Sequence, residues 1–219
     1  MERTAVAHLP RPLLRGWTHA VSFPVWVLMG AGLIAWAQVP LRGRLLLSVY
    51  VAGTGVMFGV SALYHRVRWQ PAAKALMQKF DRSAIFLAIA GGYTPVAWAC
   101  LDGWERTFVI SGAWIGAAAG IVLHWLPRVP RAAKGASYIV VSWVAVFALP
   151  QMASALGITG FLLIIGGGVS YTLGAICLAA KRPDPWPTVF GYHEIFHAFT
   201  VVAAALQFAA MSLAVAPLL

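Results

Sequence analysis

Residues 44–65 read RLLLSVYVAGTGVMFGVSALYH. The run opens on an arginine and carries no other charge before the histidine that closes it. A helix that crosses a bilayer needs roughly 20 mostly apolar residues. Helices and closed barrels are the two structures that satisfy every backbone polar group in lipid, and this run lacks the period-two alternation of a barrel strand. It therefore reads as a transmembrane helix with Ser61 and His65 at its last turn.

Working outward, blocks of the same kind recur at about 17–37, 82–101, 107–126, 134–151, 157–180 and 193–217, by the apolar-run criterion. The whole chain is 61% hydrophobic and 10% charged, whereas a soluble domain is about 45–50% apolar and about 25% charged. This excludes a soluble globular domain. The expectation is an all-α integral membrane protein: one domain over residues 1–219, folded as a seven-transmembrane helix bundle. The breaks between blocks are short. The longest, RVRWQPAAKALMQKFDR (66–82), has Trp69, Leu76, Met77 and Phe80 spaced for one apolar face of a short interfacial helix. The segment MERTAVAHLPRPLLRGW is basic but is followed by no small-residue cleavage site, so no removable signal peptide is expected.

The net charge of +10 is an orientation signal and not a nucleic-acid footprint. With the N-terminus inside, thirteen basic residues face the cytoplasm: Arg3, Arg11, Arg15, Arg66, Arg68, Lys74, Lys79, Arg82, Arg128, Arg131, Lys134, Lys181 and Arg182. Three, Arg42, Arg44 and Arg106, face the other side. Positive residues favour the cytoplasmic side, so the N-terminus is expected in the cytoplasm and the C-terminus outside. The expected partners are membrane lipids, with anionic headgroups of the inner leaflet against the basic loops; no nucleic acid is expected. Cys100 and Cys177 fall near opposite faces of the membrane and are expected to be free thiols.

Ionisable groups inside spans are costly and point to function. On the seven-span reading, Ser61 and His65 end span two, Asp81 precedes span three, and His193 and His197 begin span seven. Three helices bring their polar groups to one depth. Histidines at i and i+4 lie on one helix face and can share a metal ion. A third ligand from another helix, His65, leaves a fourth position for water, as in a catalytic zinc site. Asp81 suits the role of base on that water, and Ser61 that of a donor to a substrate or water oxygen. Plainer readings exist. The histidines can form a polar network without metal, Asp81 can complement a helix dipole, and Ser61 can simply pack. His8, His124 and His19 read as packing residues, and His19, at the inner start of span one on the same face, leaves a peripheral role at the site open. HEIFH (193–197) is also a literal HExxH, the signature of zinc proteases with glutamate as base. Glu194, however, projects roughly 100° around the helix from His193.

SALYHR (61–66), FDRSAIFLAIAGGYTPVAW (80–98), GGGVSYTLGAI (166–176) and GYHEIFH (191–197) together resemble the hemolysin III family, related to the progestin and adiponectin receptors and, more widely, to alkaline ceramidases. The resemblance runs from Thr18 and His19 to span seven. It implies seven spans with the N-terminus inside and zinc near the cytoplasmic face. The implied ligands are His65, His193 and His197, with Asp81 and Ser61 beside the water. Many members have a histidine where this chain has Arg82. The family implies either lipid amide or ester hydrolysis, a role in membrane lipid homeostasis as a non-enzymatic sensor or regulator, or haemolysis. Few polar residues in the spans lie away from the inner-face cluster, which argues against a wide pore. The Ala- and Arg-rich composition fits a bacterial plasma membrane. Gly91, Gly92 and Pro95 in span three, and Gly166, Gly167 and Gly168 in span six, are expected to allow close helix packing.

Overall fold

The computed structural model describes residues 11–219; Arg3 and His8 lie outside the described residues. The described residues are predominantly helical, with no strand among them. The elements are α1 (Trp17–Trp36), α2 (Leu41–Arg66), α3 (Pro71–Cys100), α4 (Gly103–Trp125), α5 (Arg131–Ser142), α6 (Leu149–Ala180) and α7 (Tyr192–Ala210). A short 3-10 turn, Val146–Ala148, joins α5 to α6, and the helical path of α7 continues through a π turn to Leu218.

Among the described residues, six stretches are long and apolar enough to cross a bilayer. Five match expected spans one to four and seven to within a few residues at most ends. The sixth, Arg131–Ala180, is 50 residues long and holds both expected spans five and six. As one straight helix it would measure about 75 Å, more than twice the ~30 Å hydrocarbon core. It is interrupted twice. The backbone loosens through the turn at 143–148, and Gly157 adopts φ 62° and ψ 175°, outside the helical region. No atom would obstruct a Cβ at Gly157, so its glycine answers to backbone conformation and not to space.

The expected interfacial helix at 66–82 is instead the beginning of α3, which runs unbroken from Pro71. Proline at the first helical position is pre-organised for a helix start, and no breaker follows between Ala72 and Asp81. Asp81 therefore lies nearly three turns inside a helix, and the dipole reading of that residue is overturned.

α3 is the most enclosed of the spans. It packs on α2 through glycines that let backbones approach. A Cβ at Gly53 would stand 2.5 Å from the Leu87 carbonyl oxygen, and one at Gly91 2.9 Å from that of Val49. Gly167 likewise abuts Gln207 and Ala203 of α7. Gly92 and Gly168 face open space, contrary to the packing role expected of them. The main core gathers Trp26, Tyr50, Phe58, Val96, Met152 and Met211; a smaller one holds Phe86, Ala113 and Val141. Indoles are satisfied across helices: the buried Trp26 donates to the Val51 carbonyl at 2.9 Å and the exposed Trp125 to Ser83 at 3.0 Å. Leu28, Ile115, Ile158 and Leu213 are exposed apolar side chains, the outward face of a protein solvated by lipid. Both cysteines are free. His124 packs against Phe86 and Tyr138, as expected.

Candidate metal centre

The last turn of α2 and the first turns of α7 meet at one end of the bundle. α2 supplies Ser61 and His65, which its 3.6-residue period stacks one turn apart; both are buried. α7 supplies His193 and His197 in the same relation. One ligating atom from each of His65, His193 and His197 falls within 4.8 Å of the others. The Nε2 atoms of His65 and His193 stand 3.3 Å apart, and each ring centroid lies 4.7–4.9 Å from the other two. Two imidazole nitrogens on one tetrahedral zinc, at about 2.1 Å each, lie roughly 3.4 Å apart. The donor set and the spacing fit a metal ion. The 3.3 Å separation also fits one nitrogen donating to the other.

The half-buried Asp81 of α3 faces Ser61 and its own neighbour Arg82. Its carboxylate lies outside the three-histidine group; Ser61, which it faces, sits one helical turn from His65. Arg82 itself is exposed.

Glu194 does not face the histidines as a free base. It is 1% exposed, one oxygen pairs with the Arg15 guanidinium, and the other accepts the Gly191 backbone N–H at 2.9 Å. It caps α7 in the manner of the acidic half of a capping box. Both of its oxygens are engaged, so the HExxH match carries no protease base.

Several contributors escaped the sequence reading. Leu13 and Leu14 donate backbone hydrogen bonds to the Thr188 and Val189 carbonyls, at 2.9 and 3.1 Å. The segment before α1 is thereby tied to the loop before α7. Arg66 covers Trp17 at 4.3 Å. Gly16 turns the chain with φ 79°, and a Cβ there would overlap the His65 Cβ. Arg15 lies within electrostatic reach of His65, His193 and His197. His19 is 3% exposed and stacks on His197 with centroids 4.0 Å apart and planes 17° from parallel. It is a fourth ring of the cluster, beside the three candidate ligands. The resemblance pointed at Thr18 and His19, yet nothing in the spacing of a single histidine tied it to span seven.

Fold and site define a multi-pass helical membrane protein with a three-histidine group, able to hold a metal, buried at one end of its bundle. The model of the family described as "Haemolysin-III related" matches residues 7–208. The chain belongs to the hemolysin III family. It is 29% identical to Hemolysin-3 of Bacillus cereus over 163 residues, 74% of this chain and 71% of that one. It is 28% identical to the Hemolysin-3 homolog of Bacillus subtilis (strain 168) over 150 residues, 68% of this chain and 67% of the relative.

Proposed function

We propose that the protein is a zinc-dependent hydrolase of a lipid amide or ester, acting at the cytoplasmic face of a bacterial plasma membrane. The observation that carries this reading is the convergence of His65, His193 and His197 from two helices far apart in sequence, with Asp81 of α3 facing Ser61 one turn from His65. The two arms of Arg131–Ala180, divided at Gly157, are read as separate crossings. That gives seven spans, with the N-terminus inside and the C-terminus outside, in agreement with the partition of basic residues. The basic loops then meet the anionic headgroups of the inner leaflet.

In this reading the three neutral imidazoles present their lone pairs to zinc, which when bound supplies Lewis acidity and lowers the pKa of water. Asp81 takes the proton of the attacking water, and Ser61 fixes the carboxylate by donating to it. The apolar surroundings exclude bulk water and favour a lipid as the substrate.

A second reading, cytolysis, is favoured by the name of the Bacillus cereus relative, Hemolysin-3. Proteoliposomes separate the two. The hydrolase reading expects release of fatty acid from ceramide or phospholipid at a rate that Asp81→Asn lowers about 10²–10⁴-fold, with no leakage of trapped dye. Dye release that survives Asp81→Asn and chelation, without lipid cleavage, contradicts it.

A further inference from the structure

Among the described residues, four buried side-chain polar atoms have no hydrogen-bond partner: both ring nitrogens of His19, the Tyr50 hydroxyl and Nδ1 of His124. Tyr50 belongs to the apolar core, and His124 already bonds the Lys134 carbonyl through its other nitrogen at 3.0 Å. His19 alone has neither nitrogen satisfied.

The contacts of the His19 ring are aromatic. It stacks on His197 and meets the edge of Phe58 at 5.1 Å. A phenylalanine would make both contacts and leave no polar group stranded. A neutral imidazole always carries one N–H donor and one acceptor, and natively buried polar groups are paired or have a functional reason not to be. His19 is not one of the three clustered ligands. Its neighbours are His197 and His193 of α7, Phe58 of α2 and the His65 ring beyond His197. It thus stands against the site with hydrogen-bonding capacity that no group among the described residues uses.

We propose that His19 is the polar contact for the oxygen ligand of this site: its imidazole hydrogen-bonds the carbonyl or carboxylate oxygen that arrives beside the three-histidine group. The inference rests on the metal-binding reading of His65, His193 and His197. It adds a residue from α1 to a site otherwise built from α2, α3 and α7, and it makes α1 part of substrate selection.

Cobalt(II)-loaded protein tests it without reference to turnover. Acetohydroxamate is titrated against wild type, His19→Phe and His19→Gln, and the visible d–d bands of cobalt are followed. All three proteins are expected to bind cobalt in equal amount. His19→Phe weakens acetohydroxamate about ten-fold, the effect of one lost hydrogen bond, and His19→Gln, which keeps a donor and an acceptor, recovers part of the loss. Wild-type affinity in His19→Phe overturns the proposal and makes the ring a packing element. Loss of cobalt in both variants also overturns it, because His19 then serves the metal and not the ligand. A wild-type protein that takes up no cobalt defeats the metal reading itself, and this inference with it.

Discussion

Arg15 and Glu194, 179 residues apart in the chain, form an ion pair beside the three-histidine group. The pair joins the segment that leads into α1 to the first turn of α7. Glu194 is buried and accepts from the Gly191 N–H as well, so its charge is compensated on two sides. Removing one partner of such a pair leaves a charge without a counter-ion, at a cost of about 3 kcal/mol when both are deeply buried. Arg15 keeps some exposure to the aqueous side, which softens that figure. Arg15→Ala and Glu194→Ala are each expected to lower the unfolding temperature in detergent. The double variant is expected to be less destabilised than the sum of the two. Full additivity would show that the pair contributes nothing.

Gly16 and Gly92 make a matched contrast. Gly16 sits at φ 79° against the His65 Cβ, so Gly16→Ala combines left-handed strain of about 1–2 kcal/mol with a steric overlap. It is expected to destabilise the protein and disturb His65. Gly92 lies within α3 with open space around its Cα, so Gly92→Ala is expected to be neutral or stabilising by up to ~1 kcal/mol. Thermal unfolding of the two variants checks the order.

The division of Arg131–Ala180 at Gly157 has a topological consequence. Two crossings return the chain to its starting side, whereas one leaves its ends on opposite sides. In a Cys100→Ser/Cys177→Ser background, Arg131→Cys and Arg182→Cys are both expected to react with a membrane-impermeant maleimide only after permeabilisation. Gln38→Cys, in the α1–α2 connection, is expected to react on intact cells. Labelling of Arg131 and Arg182 from opposite faces would contradict the seven-span arrangement.

Most of the fold was legible in the apolar blocks, because length and the absence of charge are local properties. Span five was legible as a block, but not its broken course through 143–148. The start of α3 was missed because its polar composition resembles a loop, while Pro71 and the helix-compatible residues after it extend the span. His65, Asp81, His193 and His197 stood out because an ionisable group in a span is costly, and Ser61 because it lies one turn from His65. The roles of Arg15, Gly16 and Glu194 did not, since each depends on a partner 49 to 179 residues away. Two of the three basic residues expected outside, Arg42 and Arg106, lie over the Trp98 ring at 5.2 and 4.8 Å. A cation–π pairing of this kind gives each of them a structural partner, which loop position alone did not show.

The metal content of purified protein, measured by elemental analysis for wild type and His197→Ala, tests the central claim most directly. The account predicts about one zinc per chain in the wild type and its loss in the variant, with both proteins folded. A folded, chelator-free wild type without metal would contradict it, and the 3.3 Å contact between His65 and His193 would then be a hydrogen bond within a polar network.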